Sequence, residues 1–136
     1  MSNIDLSQLV TAEEKQDAAL SSRRAAITAE RDRRLHNGVV IPVTGYGDIP
    51  LQGRPNDQIN LIALADTARD LIAAGITDPV IPFRDADNVM HMLTPAQMAE
   101  LAVKGKQAAS LIYAAAWTLK DMAAPRVDFD DDQYWP

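Results

Sequence analysis

Apolar residues recur at helical spacing in three stretches of the chain, and the last stretch carries the longest pattern. It begins at Thr94-Pro95, where Gln97 lies three residues beyond Thr94, the signature of a capping box followed by proline at the first helical position. The apolar and small residues then return every three or four positions: Met98, Leu101, Ala102, Gly105, Ala108, Ala109, Ile112, Ala115, Ala116, Leu119 and Met122. The pattern predicts a helix of roughly 43 Å over residues 95–123. This is longer than a domain of this size needs for its own core, so we expect a partner to bury part of it.

The first helical stretch has far fewer apolar positions. Thr11 and Glu14 form a second capping box, and Asn37-Gly38 supplies a stop signal shortly after Leu35. Acidic and basic side chains balance over residues 1–36, and the apolar positions are sparse: Leu9, Leu20, Ile27 and Leu35. We therefore expect a mostly solvated arm, or one strand of a weak coiled coil, that contributes little to the core.

The middle of the chain predicts a further helix between two β-hairpins. Pro55 suits a first helical turn, and Gly75 ends the apolar stripe that follows it. The β-rich residues 39–51 surround a glycine-rich turn, and residues 80–93 surround a turn at 85–88. The predicted fold is α+β and helix-rich: helix, β-hairpin, helix, β-hairpin, long C-terminal helix, acidic aromatic tail. We divide it into an N-terminal helical arm at 1–37, a small α+β domain at 38–124 and an acidic C-terminal tail at 125–136.

Composition and charge narrow the classes of function. A chain of 136 residues accommodates one domain, and its 5% aromatic content disfavours a β-sandwich. The net charge of −6 argues against a nucleic-acid partner, because phosphates would be repelled. The absence of cysteine excludes disulfides and thiolate metal sites, and no apolar run is long enough to span a membrane. We expect a soluble protein with neither a membrane nor a nucleic acid as partner.

Few side chains are suited to catalysis or metal binding. His36 follows a predicted helix end, where an imidazolium complements the helix dipole, and His91 alternates with Met90 and Met92 in a predicted strand. The turn at residues 85–88 begins like a calcium loop but lacks the glycine and the closing glutamate, so a hairpin turn is the favoured interpretation. We predict no enzymatic activity, no catalytic residue, no bound metal and no cofactor.

The acidic C-terminal tail is the strongest candidate for a binding site. Bulky aromatic side chains can anchor an interface, and the neighbouring aspartates would match a basic groove. The predicted partner-binding residues are Asp128, Phe129, Asp130, Asp131, Asp132, Tyr134 and Trp135. The alternative is a solvated acidic end that binds no partner. The basic cluster at residues 31–34 is interpreted as a charged last helical turn.

Three segments resemble a known family. They are Glu30-Arg31-Asp32-Arg33-Arg34-Leu35, then Arg54-Pro55-Asn56-Asp57-Gln58-Ile59-Asn60, then Phe83-Arg84-Asp85-Ala86-Asp87-Asn88, followed by Leu93-Thr94 and a long alanine-rich helix. Together they resemble an uncharacterised domain family encoded in bacteriophages and prophages, commonly beside tail-fibre genes or where tail-fibre assembly proteins occur. The likeness covers roughly residues 28–123 and supplies no catalytic residues.

The resemblance implies a tail-associated role. The leading hypothesis is a non-enzymatic structural protein of the phage tail, a distal-tail adaptor or tail-fibre attachment component that is made in the bacterial host cytoplasm and carried in the virion. Its partners would be other tail or tail-fibre proteins. Further copies of the chain are also expected, with a trimer among the stoichiometries considered. The alternative is a tail-fibre assembly chaperone that is absent from the mature particle.

Overall fold

Three helices and two β-hairpins alternate along the chain in the computed structural model, which describes residues 11–136. The elements are α1 (Ala12–Asn37), β1 (Val39–Val43), β2 (Gly47–Leu51), α2 (Pro55–Ala73), β3 (Ile81–Arg84), β4 (Met90–Leu93) and α3 (Pro95–Lys120). A single 3-10 turn, Asp132–Tyr134, follows α3. The predicted α+β, helix-rich order is confirmed.

The predicted capping interactions begin α1 and α3. The Thr11 hydroxyl accepts from the Glu14 amide at 3.0 Å while the Thr11 amide donates to the Glu14 carboxylate, and Thr94 and Gln97 repeat this arrangement. Gly38 ends α1 with a φ of 75°, a conformation that glycine adopts without strain. The helix boundaries therefore follow from interactions between residues three or four positions apart.

Each hairpin is a separate two-stranded antiparallel sheet. In the first, Val43 pairs with Gly47, and in the second, Ile81 pairs with Leu93. The amide of Ala86, in the turn of the second hairpin, donates to the carbonyl oxygen of Pro50 in the first at 3.0 Å. This hydrogen bond joins the two hairpins side by side.

The long helix α3 is the centre of the fold. Pro95 and Leu101 are buried, and the other seven buried positions alternate in steps of four and three residues: Met98, Ala102, Gly105, Ala109, Ile112, Ala116 and Leu119. The first half of α3 packs with α2 and the hairpins, and its second half packs with α1. A Cβ atom on Gly105 would lie 2.7 Å from a methyl carbon of Leu51, so the close approach of the first hairpin requires glycine there. The predicted apolar stripe is confirmed from Met98 to Leu119, but α3 ends at Lys120 rather than at residue 123, so Met122 lies beyond the helix.

The structure corrects the expectation that α1 contributes little to the core. Ile27 is fully buried and Leu35 nearly so, both against the second half of α3, whereas most residues of α1 before Arg23 are exposed. A narrow stripe suffices because α1 covers only half of α3. The same contact accounts for the length of α3 within one chain. Leu9, which the arm hypothesis also included, lies outside the described residues.

Candidate functional site

The C-terminal segment, residues 121–136, folds back onto α1 and the second half of α3. Trp135 is 7% exposed and shares a core cluster with Ile27 and Ile112. Its indole Nε1 donates to the carbonyl oxygen of Phe129 at 2.7 Å, and the guanidinium of Arg34 lies 4.9 Å from its ring centroid. Trp135 is therefore a core residue of its own chain.

Arginines of α1 hold the segment in place. Arg34 donates from Nη2 to the Asp132 carboxylate at 2.7 Å and to the carbonyl oxygen of Asp130 at 2.9 Å. Arg23 donates to the carbonyl oxygen of Arg126 at 3.1 Å, and its guanidinium lies 5.8 Å from the ring of Phe129. These contacts neutralise part of the negative charge of the segment.

The basic cluster at the end of α1 is more than a solvated helical turn. The side chain of Arg34 is only 14% exposed, and the guanidinium of Arg31 lies 4.9 Å from the ring of Tyr113. Hydrogen bonds from Arg33 and Arg34 to Glu30 outweigh the effect of its burial and lower the pKa of the Glu30 carboxyl. Glu30 therefore stays charged and orients Arg34, which binds Asp130 and Asp132 of the C-terminal segment.

Local contacts also shape the segment. Arg126 donates to the Asp128 carboxylate at 2.8 Å, and this bond is the main cause of the lowered pKa of Asp128. Tyr134 donates its hydroxyl to Asp128 at 3.1 Å, and burial together with this bond raises the pKa of Tyr134. Asp131 accepts from the amide of Gln133, which starts the 3-10 turn.

The predicted partner-binding residues thus divide into two groups. The half-buried Asp128 is held by Arg126 and Tyr134 and belongs with Phe129, Tyr134 and Trp135, which pack against their own chain. Asp130, Asp131 and Asp132 are exposed, the last with 93% of its side chain accessible. Two of the aromatic side chains considered as anchors for a partner are instead in contact with arginines of α1, Phe129 with Arg23 and Trp135 with Arg34. Binding of a partner by these residues stays a prediction. We call Asp130, Asp131 and Asp132 the C-terminal acidic face.

A second polar arrangement joins the two hairpins. The hydroxyl of Tyr46 lies 2.6 Å from Nδ1 of His91, and Nε2 of His91 lies 2.6 Å from the Asp85 carboxylate. Asp85 also accepts from the amides of Asp87 and Val89. Burial opposes ionisation of Asp85, but these hydrogen bonds outweigh it and lower the pKa. The hydrogen bonds that the Asp85 carboxylate accepts from these amides, together with the pairing of β3 with β4, confirm the interpretation of residues 85–88 as a hairpin turn.

Sequence reasoning missed this arrangement. His91 lies 45 residues from Tyr46, and neither residue stands in a recognisable motif. The pairing of β3 with β4 brings His91 close to Asp85. The hydrogen bond from Ala86 to Pro50 and a shared apolar core then join this hairpin to the one that carries Tyr46. No local sequence pattern predicts a contact between residues so far apart in the chain.

A groove of about 430 Å³ lies beside this arrangement, between the start of α2 and the turn of the second hairpin. Its polar lining includes Arg54, Asp57, Asn60, Arg84 and Asn88. Two of the three segments that carry the family resemblance, residues 54–60 and 83–88, therefore meet at one place. The third, residues 30–35, contains the arginine that receives Trp135. Arg54 is paired with Asp57 at 2.8 Å, and Arg84 donates to the carbonyl oxygen of Asn88.

Among residues 11–136, no group of three or more His, Asp or Glu side chains is placed to hold a metal ion. None of the helices found there combines the length and the apolar character needed to cross a bilayer.

Comparison with known proteins places the chain in a family. No curated protein and no solved structure matches it. One family model matches residues 16–134, which include all but the start of α1, both hairpins, α2, α3 and most of the C-terminal segment. The arginines that hold that segment and the aspartates of the C-terminal acidic face lie within the match. The chain therefore belongs to the family described as Domain of unknown function (DUF4376).

Proposed function

We propose that this protein is a non-enzymatic structural component of a bacteriophage tail, an adaptor or fibre-attachment protein of the virion. The tail association comes from the resemblance of residues 30–35, 54–60 and 83–88. The attachment role comes from one structural observation, the C-terminal acidic face held on a folded support. In this proposal the protein is made in the host cytoplasm and joins the particle during tail assembly.

The fixed conformation of the acidic face favours attachment. Ordering about ten residues costs on the order of 10 kcal/mol, and a partner that had to order them would lose affinity by that amount. Contacts of Trp135 and Arg34 within the chain already offset this cost. A basic surface on the partner can then bind the exposed aspartates, and its attraction to them also speeds the encounter.

The geometry around His91 supports a structural role for its imidazole. Both ring nitrogens are engaged, Nδ1 by Tyr46 and Nε2 by Asp85. Tyr46 lies in the turn of the first hairpin, and Asp85 and His91 lie in the second, so this chain of hydrogen bonds connects the two hairpins.

The test replaces charge on the acidic face without disturbing the folded segment. In the variant Asp130→Asn/Asp131→Asn, the backbone carbonyl of residue 130 can still accept from Arg34, and the side-chain amide oxygen at position 131 can still accept from the backbone amide of Gln133. The matched control Asp66→Asn/Asp70→Asn removes the same charge from exposed positions of α2. Each variant would complement a phage that lacks the gene, and purified particles would be analysed by quantitative mass spectrometry.

We expect the acidic-face variant to be depleted from particles and the α2 control to be incorporated normally. Normal incorporation of both variants would contradict attachment through the acidic face. If the unaltered protein were absent from purified particles while fibres failed to assemble without it, the assembly chaperone would be the correct function instead.

A further inference from the structure

The long helix α3 has a second face, opposite its buried stripe, that no other part of residues 11–136 covers. Its members are exposed: Gln107, Ser110, Leu111, Ala114, Trp117 and Thr118. We call them the open α3 face. No charged residue occurs between Lys106 and Lys120, although 24% of the chain is charged. A long uncharged surface on an otherwise charged protein is typical of an interaction site.

Two large side chains and two small ones give this face its shape. Leu111 is 52% exposed and Trp117 is 57% exposed, so both present large apolar areas to solvent. Ser110 and Ala114 between them leave room for another helix to approach closely. Tryptophan is enriched among residues that dominate binding energy at interfaces. The face therefore has the shape and chemistry to receive an apolar helix.

The charges at the two ends of the open α3 face favour a second copy of the chain as its binding partner. Lys106 is exposed at one end of the open α3 face and Asp121 is exposed at the other, about 22 Å along the helix. An antiparallel copy of the same helix would place each lysine beside an aspartate of the other copy. A parallel arrangement would place lysine beside lysine and aspartate beside aspartate. The distribution of charge is thus complementary to itself in the antiparallel orientation only.

We propose that α3 pairs antiparallel with α3 of a second copy, around a two-fold axis that passes between Tyr113 and Ala114. At this register Lys106 lies opposite Asp121 of the second copy, because both are seven residues beyond the central pair. Trp117 lies opposite Ser110 of the second copy, where the small side chain accommodates the indole. Each contact occurs twice in the dimer.

This inference goes beyond the proposed function and does not depend on it. The open α3 face shares no residue with the C-terminal acidic face, so variants of the two surfaces test the two proposals separately. It also favours a two-fold dimer over the trimer considered from the sequence, because three copies around one axis would bring their α3 helices together in parallel.

The first experiment exchanges the charges. The variants Lys106→Asp, Asp121→Lys and the double variant would be compared by sedimentation equilibrium at low salt, using the full chain. Each single reversal turns two attractive contacts into repulsive ones and should raise the dissociation constant about fivefold or more. The double variant should return to within about twofold of the unaltered chain. Asp70→Lys, an exposed reversal on α2, is the control and should leave the constant unchanged.

The second experiment uses the absence of cysteine from the chain. Ala114→Cys lies beside the proposed axis, where small residues at a helix contact can approach to the roughly 6 Å between Cα atoms that a disulfide needs. Oxidation should yield a covalent dimer on a non-reducing denaturing gel. Ile62→Cys, whose cysteine would be exposed on α2, should run as a monomer on that gel.

Three results would overturn the proposal. The first is a monomeric chain at protein concentrations of about 0.1 mM. The second is cross-linking of Ala114→Cys without any effect of the single charge reversals, which would indicate a parallel arrangement. The third is a double variant that dissociates as readily as the single variants. Circular dichroism of each variant separates these outcomes from loss of the fold.

Discussion

Replacement of Trp135 by alanine tests whether the C-terminal segment belongs to the core. The side chain is 7% exposed, donates to the carbonyl oxygen of Phe129 at 2.7 Å and lies under the guanidinium of Arg34. Truncation of a buried tryptophan costs about 3–5 kcal/mol of unfolding free energy. We expect roughly 3 kcal/mol, at the lower end of that range, because neighbours at a chain end can relax into the space that the ring leaves.

The chain contains a matched control for this experiment. Trp117, its only other tryptophan, is 57% exposed on α3. Trp117→Ala should cost less than about 0.5 kcal/mol, as exposed positions usually do, at protein concentrations where the chain is monomeric. Urea unfolding followed by far-ultraviolet circular dichroism would report both free energies.

Tryptophan emission gives a second, independent readout. In Trp117→Phe the emission comes from Trp135 alone, and it should shift to longer wavelength at the same urea concentration at which the helical signal is lost. A cost below about 1 kcal/mol for Trp135→Ala, or a shift in emission before the helices unfold, would refute the reasoning. The C-terminal segment would then open separately from the core and could offer its aromatic side chains to a partner.

Three further predictions follow from the packing. Asp85→Asn should lower the midpoint of urea unfolding at pH 7. Because the pKa of Asp85 is lowered in the folded chain, its carboxylate stabilises the fold above about pH 4, and this stabilisation is lost as the pH falls through the folded pKa. The variant and the unaltered chain should therefore have the same midpoint in acid. Gly38→Ala should cost at least about 2 kcal/mol in the same assay, since φ is 75° and a Cβ would lie 2.1 Å from the Leu51 carbonyl oxygen; a neutral effect would contradict this geometry. Ile27→Ala should cost roughly 3 kcal/mol and Leu20→Ala, in the more exposed half of α1, less than about 1 kcal/mol; equal costs would argue against an α1 that is only half packed.

The two sides of α3 have different roles in the proposed assembly. The second half of its buried stripe packs against α1, and α1 in turn holds the C-terminal segment through Arg23 and Arg34. Its open face is left for a second copy. A dimer would therefore carry two acidic faces, and a partner with two basic sites would bind it more tightly than it binds a monomer.

The sequence could predict the elements because their signals are local. The hydroxyl of Thr94 caps an amide three residues away, proline opens α2 and α3, and Gly38 ends α1 in a conformation that other residues avoid. The buried side of α3 could also be predicted, because residues at alternating steps of three and four lie on one side of any helix. Such interactions depend on the identity of near neighbours alone.

The candidate sites could be predicted only in part. Clustered aspartates and aromatics marked the C-terminal segment as unusual, and the structure does place it in specific contacts. The sequence could not show that those contacts are made with α1, since Arg34 lies 98 residues before Asp132. An arginine at a helix end is compatible with solvent, with a neighbouring carboxylate and with an aromatic ring, and the local sequence does not distinguish among them.

By itself the sequence determined which segments are helical or extended, where the helices begin, and which side of α3 is apolar. Only the tertiary structure decided what covers that side, that half of α1 belongs to the core, and that Tyr46, His91 and Asp85 meet. The physical reason is the range of the interactions. Caps, turns and helical periodicity act within a few residues, whereas burial and ion pairing depend on which distant surfaces come together, and that choice is made by the whole chain at once.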